Sequence, residues 1–162
     1  MPSDQPMEYL DANVLLAYIS GEADRVDIVE QLLSEAAEGK RTLVTSTLSI
    51  VEVAYAVSDL GIDLSEESEQ AIDELWAPPS PILLIEPSVA VMRRARGFLR
   101  QAKSAGRKLK PADSIHLASA AMTAAVGTLL TYETENTRTY WAEVTALVVA
   151  EPDIDQRRLP WA

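Results

Sequence analysis

The segment MEYLDANVLLAYI, residues 7–19, decides the fold class. Its first residues, Met7 to Leu10, form a short apolar run that ends at Asp11, and an apolar, helix-compatible run from Asn13 to Ile19 follows at once. This order predicts a buried strand that leads directly into a helix. In open α/β sheets the functional crevice lies beyond the carboxyl ends of the strands, so Asp11 occupies a position typical of a site residue.

The rest of the chain repeats this alternation. Further strands are predicted at Thr42–Thr45, Ile82–Ile85, Thr128–Tyr132 and Leu147–Val149. Helices are predicted at Ala23–Ala37, from Ser46 or Thr47 to about Leu60, from Ser65 to Trp76, at Ser88–Ala105 and at Ala112–Val126. We therefore predict an α/β fold with a central, mostly parallel sheet of four to five strands flanked by helices. Because no linker or repeat interrupts the pattern, we expect one domain over residues 1–150 and a C-terminal surface tail over residues 151–162.

The composition excludes several kinds of site. The 162 residues include no cysteine and a single histidine, His116, which rules out disulfides, thiolate chemistry and any metal site with two imidazoles. The 25 Asp and Glu residues are oxygen ligands of the kind that Mg²⁺ or Mn²⁺ prefers. No run is long and apolar enough to span a bilayer, and the N-terminus is acidic where a signal peptide is basic, so we expect a cytoplasmic protein with no membrane contact.

The charge is unevenly distributed. A net charge of -11 argues against a polyanionic substrate, yet eight of the 14 basic residues lie between Arg93 and Lys110, where no acid occurs. We expect this basic face to contact phosphates. The alternative is a solvated helix surface. The candidate nucleic-acid contacts are Arg93, Arg96, Arg100 and Lys110.

Acidic residues stand at the ends of the predicted strands and the starts of the predicted helices. Asp113 lies in the first turn of the alanine-rich helix, Glu52 lies within an apolar helix, and Glu133 follows a strand with Glu135 close behind. Converging carboxylates repel one another, and a divalent cation relieves that repulsion. Two such cations can activate water and stabilise the leaving oxygen of a phosphodiester.

Each of these residues also has an ordinary structural interpretation. For Asp11 it is a helix cap, for Asp113 an acid in the first turn of a helix, and for Glu52 a carboxylate that faces solvent. Asn13 is either a supporting residue that orients a carboxylate or a turn residue. For His116 we favour packing and hydrogen bonding over a role as general base.

Four segments resemble the successive motifs of the PIN-domain family, in the family's order. They are Tyr9-Leu10-Asp11-Ala12-Asn13-Val14-Leu15, Ser49-Ile50-Val51-Glu52-Val53, the run from Lys110 to Ala120, and Leu130-Thr131-Tyr132-Glu133. Their spacing is similar to that of the VapC-type toxins of bacterial and archaeal toxin–antitoxin pairs. Each motif by itself is weak, whereas the ordered set covers the chain from Tyr9 to about Val149.

The resemblance implies a three-layer, PIN-like fold and a Mg²⁺- or Mn²⁺-dependent endoribonuclease, usually a homodimer inhibited by a cognate antitoxin. Asp11, Glu52 and Asp113 match the family's three metal-holding acids, and Glu133 takes the place of the fourth, with Glu135 as a competitor. The chain departs from the family at Ala12, where Thr or Ser is common, and at Glu133, where Asp is usual. These departures support the alternative that the chain is a catalytically weakened PIN-like module, which binds nucleic acid or protein without cleaving. Nothing in the residues separates an RNA substrate from a DNA substrate.

Overall fold

Parallel strands form the centre of the molecule. The computed structural model describes residues 5–59, 61 and 65–154, and these form a five-stranded parallel sheet in the order β3-β2-β1-β4-β5. The strands are β1 (Met7–Leu10), β2 (Thr42–Ser46), β3 (Ile82–Ile85), β4 (Val126–Leu130) and β5 (Val148–Ala150). The predicted α/β class and parallel sheet are confirmed, and the strand that precedes Asp11 lies in the middle of the sheet.

Helices connect the strands and cover both faces of the sheet. They are α1 (Ala12–Ile19), α2 (Val26–Ala37), α3 (Leu48–Asp59), α4 (Glu66–Trp76), α5 (Val89–Ser104), α6 (Pro111–Met122) and α7 (Glu135–Thr145). None of the helices in the described residues is long and apolar enough to cross a membrane.

The two faces of the sheet carry separate cores, because neighbouring residues of a strand point to opposite sides. Tyr9 packs with residues of α5, α6 and α7, including Phe98 and Trp141. Leu10 packs with residues of α1 and α2, including Leu15 and Leu32. The chain therefore folds as three layers, as the family resemblance implies.

Helix α7 was not predicted. Its sequence ENTRTYWAEVT buries Tyr140 and Trp141, so it shows no continuous apolar stripe of helical period. The helix begins instead at a local signal, since the Thr134 side chain accepts a hydrogen bond from the Thr137 N–H.

Several predicted boundaries were also wrong. Helix α6 ends at Met122 rather than at Val126, because Val126 is buried in the core and begins β4. Strand β4 then ends at Leu130 rather than at Tyr132, and α2 begins at Val26 rather than at Ala23. The predicted helix end at Leu60 and residues 155–162 of the predicted tail lie outside the described residues.

A buried ion cluster joins the central strand to a covering helix. The Arg41 Nη1 lies 2.6 Å from Glu8 Oε1 on β1, and its Nε lies 3.0 Å from Glu35 Oε2 on α2. All three charged groups are largely shielded from water, which strengthens the attraction between them. The cluster anchors α2 against β1.

Candidate active site

Asp11 stands where the central strand passes into α1. Its Oδ1 accepts a hydrogen bond from the Ala12 N–H at 2.8 Å, and its Oδ2 accepts one from the Thr131 hydroxyl at 2.8 Å. Burial raises the pKa of Asp11, although the charge of His116 and the Thr131 hydrogen bond oppose that rise. Asp11 is thus a helix cap, as the structural interpretation expected, and also a buried carboxylate at the carboxyl edge of the sheet.

The Thr131 hydroxyl joins β1 to the loop after β4. Strands β1 and β4 pair in parallel with Leu10 opposite Leu130, which brings Asp11 beside Thr131. The same hydroxyl accepts hydrogen bonds from the Asn13 side-chain amide at 3.1 Å and from the Glu133 N–H at 3.2 Å. Thr131 was not among the predicted site residues, but the structure shows that it gives Asp11 a hydroxyl partner despite the alanine at position 12.

Asn13 fixes the same loop from the other side. Its Oδ1 accepts a hydrogen bond from the Tyr132 N–H at 3.1 Å. Both polar ends of the Asn13 side chain therefore contact the segment that carries Glu133.

Glu52 points toward the sheet edge rather than into open solvent. Its side chain is 27% exposed, and its Oε1 accepts a hydrogen bond from Nε2 of the fully buried His116. His116 Nε2 also lies 4.0 Å from Asp11 Oδ1, and its Nδ1 lies 2.7 Å from the Tyr9 hydroxyl. His116 is packed and hydrogen-bonded, as the sequence indicated, but its position between two of the acids was not foreseen.

The charges of the acids act on one another. Burial and the negative charges of Asp11 and Glu133 raise the pKa of Asp113 to about 6, while His116 and Lys110 lower it. Asp113, in the first turn of α6, therefore shares one electrostatic environment with Asp11 and Glu133. Glu135 is exposed in the first turn of α7, so Glu133 is the better placed of the two competitors.

The acidic group also acts on the buried imidazole of His116. Burial by itself lowers the pKa of His116. The hydrogen bond to Glu52 and the charges of Asp11, Glu52 and Asp113 raise it by more than burial lowers it, so the pKa of His116 lies above its ordinary value.

The donor chemistry suits a hard divalent cation. No three acidic or histidine side chains among the described residues already converge as a set of metal ligands. Even so, carboxylates whose mutual repulsion and burial raise the pKa of Asp113 form an oxygen-rich environment that a Mg²⁺ or Mn²⁺ ion would stabilise. The residues present therefore fit such an ion by charge and by ligand type.

The predicted basic face lies mainly on α5. Arg93, Arg96 and Arg100 are exposed on that helix, and Lys110 is exposed where it precedes α6. In the part of the chain that the structure describes, the ion pairs use other basic residues. Lys110 acts on the acids, since its charge lowers the pKa of Asp113. The three arginines form an exposed positive surface on α5.

The sequence and the fold were compared with those of known proteins. The sequence matches the family model described as PIN domain over residues 9–141. The search of curated protein sequences gave no match.

Solved structures share the fold. VapBC2 from Rickettsia felis, bound to a DNA fragment from its promoter, is 18% identical with a TM-score of 0.64, covering 91% of this chain and 99% of that one. VapBC-1 from nontypeable Haemophilus influenzae is 17% identical with a TM-score of 0.62, covering 90% of this chain and 97% of that one. VapC20 from Mycobacterium tuberculosis, described as a sarcin-ricin loop cleaving toxin, is 10% identical with a TM-score of 0.60, covering 82% of this chain and 94% of that one. At these identities the likeness establishes the fold.

Proposed function

This chain belongs to the PIN-domain family, and on that premise we propose that it is a Mg²⁺- or Mn²⁺-dependent endoribonuclease, the toxin of a toxin–antitoxin pair. The observation that carries the proposal is the shared acidic environment at the carboxyl edge of the sheet, where the charges of Asp11 and Glu133 raise the pKa of Asp113. Strongly shifted pKa values of acidic residues at the carboxyl edge of a parallel sheet are typical of functional sites.

Asp11, Glu52, Asp113 and Glu133 would hold the metal. When bound, the ion supplies Lewis acidity and an activated water for phosphodiester hydrolysis. The protein holds the Asp11 carboxylate in place through the Ala12 N–H and the Thr131 hydroxyl, each at 2.8 Å. The burial of Asp11, which is 4% exposed, keeps bulk water away from that carboxylate and strengthens its attraction for a cation.

The exposed basic residues would bind the substrate backbone. Arg93, Arg96 and Arg100 offer guanidinium groups to phosphates, and Lys110 would carry the positive surface up to Asp113. An RNA substrate is proposed from the family and from the relative VapC20, whose description is a sarcin-ricin loop cleaving toxin.

Two protein partners belong to the proposal. A cognate antitoxin is proposed because relatives of this fold were solved as VapBC2 and VapBC-1. A homodimer is proposed because Val51 and Tyr55, one turn apart on α3, are 65% and 69% exposed and offer an apolar surface. We propose that the protein acts in the cytoplasm and without membrane contact.

The decisive test is RNA cleavage by purified protein freed of any bound partner. Structured and single-stranded RNAs are incubated with Mn²⁺, Mg²⁺ or EDTA, beside Asp11→Asn, Asp113→Asn and Glu133→Gln, with Glu135→Gln as the matched exposed control. We expect cleavage that requires metal, is lost in the first two variants, is reduced in Glu133→Gln and is retained in Glu135→Gln. Metal binding with no cleavage of any RNA would instead support the weakened binding module.

A further inference from the structure

A buried hydrogen-bonded chain runs from the central strand to Glu52. The Tyr9 hydroxyl lies 2.7 Å from His116 Nδ1, and His116 Nε2 bonds to Glu52 Oε1. Tyr9 and His116 are both fully buried, in contrast to Glu52. We call these three residues the Tyr9–His116–Glu52 chain. Tyr9 and His116 have no role in the hydrolysis proposed above.

The hydrogen positions follow from the surrounding donors and acceptors. The Ser46 N–H donates to the Tyr9 oxygen at 3.2 Å, which leaves the Tyr9 hydrogen free to point at His116 Nδ1. A neutral imidazole that accepts at Nδ1 carries its hydrogen on Nε2 and donates it to Glu52. A protonated imidazole also donates from Nε2, so Glu52 receives this hydrogen bond in either state.

The buried end of the Tyr9–His116–Glu52 chain holds the Glu52 carboxylate in place. The Tyr9 and His116 rings meet edge to face, with centroids 5.8 Å apart at 70°, inside the core. Glu52 instead projects from α3 beside the strongly exposed Val51. In the described part of the chain, no hydrogen bond reaches Glu52 Oε2, so one oxygen is held by His116 and the other is available for an ion.

We propose that Tyr9 and His116 are positioning residues that hold the Glu52 carboxylate ready for the divalent metal. The inference rests on the proposed metal-dependent nuclease and deepens it. Histidine–carboxylate pairs beside a metal fix the orientation of a ligand, and their loss typically weakens metal affinity by about 10- to 100-fold. Tyr9 and His116 would thus orient a metal ligand without touching substrate or metal.

Mn²⁺ affinity measured by calorimetry tests the proposal. His116→Leu keeps an apolar side chain in the core but removes the donor, and it should weaken Mn²⁺ binding by about tenfold or more. His116→Gln, whose amide nitrogen can replace Nε2, should recover most of the affinity. Tyr9→Phe should weaken binding as well. Its matched control is Tyr140→Phe, because the buried Tyr140 hydroxyl has no partner among the described residues, and that variant should bind like wild type.

A second measurement uses the unmodified, untagged protein and so does not depend on the folding of any variant. His116 is the single histidine of the chain, so a long-range ¹H–¹⁵N spectrum shows one imidazole. Its signals should show hydrogen on Nε2 and should shift as Mg²⁺ is added, because an ion on Glu52 withdraws charge from the hydrogen bond.

The outcomes are distinguishable. Wild-type protein that binds Mn²⁺ and cleaves RNA, with unchanged affinity in folded His116→Leu and Tyr9→Phe, would overturn this inference and leave the proposed function intact. Imidazole signals of His116 that do not shift at saturating Mg²⁺ would also overturn this inference. Wild-type protein that binds no Mn²⁺ would overturn both.

Discussion

Replacing Asp113 by asparagine should stabilise the metal-free protein above pH 6 while abolishing its proposed activity. Burial and the charges of Asp11 and Glu133 raise the pKa of Asp113 from 3.8 to about 6. The folded state therefore binds more protons than the unfolded state between these values, and stability falls as the pH rises through them. Each pKa unit corresponds to about 1.4 kcal/mol, so ionisation of Asp113 costs up to about 3 kcal/mol at pH 8.

The assay is urea unfolding of wild type and Asp113→Asn in EDTA at pH 4 and pH 8. Asparagine cannot ionise, so the variant should be more stable than wild type by about 1 to 3 kcal/mol at pH 8, and the two should be nearly equal at pH 4. Ionising groups that do not interact with Asp113 affect both proteins alike and cancel in the difference, whereas the response of Asp11 and Glu133 to the loss of this charge is part of the measured effect. Addition of Mg²⁺ at pH 8 should stabilise wild type more than the variant, because the ion relieves the repulsion that asparagine has already removed.

A stability difference that stays constant between pH 4 and pH 8 would refute this reasoning. It would mean that the charge of Asp113 is already balanced in the folded protein. Glu135→Gln is the matched control, since Glu135 is exposed and should show no comparable pH-dependent gain.

Three further predictions follow from the geometry. Thr131→Val keeps the side-chain shape but removes the 2.8 Å hydrogen bond to Asp11. The loss should lower the free energy of unfolding in urea by about 1.5 to 3 kcal/mol and weaken Mn²⁺ binding. An unchanged unfolding free energy and Mn²⁺ affinity would argue against this contact. Arg96→Ala and Arg100→Ala should weaken RNA binding and each lower the slope of log affinity against log salt by about 1, whereas an unaltered slope would remove these residues from the interface. Tyr55→Glu should shift the sedimentation of a dimer toward monomer because it places a charge on an exposed apolar surface, and a persistent dimer would locate the contact elsewhere.

The central part of the fold was predictable because its signals are local. The apolar run before Asp11 and the alternation of strands with helices indicate a parallel sheet, and the structure confirms it. Helix α7 was not predictable from periodicity, since it buries Tyr140 and Trp141 alone among its residues. The end of α6 was misplaced because no breaker precedes Gly127 in the alanine-rich run, while burial of Val126 decides where the strand begins.

Some residues of the candidate site were also predictable from local sequence, and others were not. Asp11 and Asp113 were predicted from their places at a strand end and a helix start, which are local features. The pairing of Thr131 with Asp11 depends on the register of β1 and β4, which a sequence shows only after the strand order is known. The bond between His116 and Glu52 joins residues 64 apart on two different helices, so it depends on how those helices pack. Whether these residues act as proposed stays a prediction.

The place of β1 in the middle of the sheet also determines when the site comes into existence. Asp11 leaves the ribosome early, but its hydroxyl partner Thr131 is made 120 residues later. At about 5 to 20 residues per second, that interval lasts about 6 to 24 seconds. A nascent or prematurely released chain that stops before β4 carries the first carboxylates without the strand that completes their surroundings. Under the proposed function, the order of the strands would thus delay the nuclease until β4 has been translated.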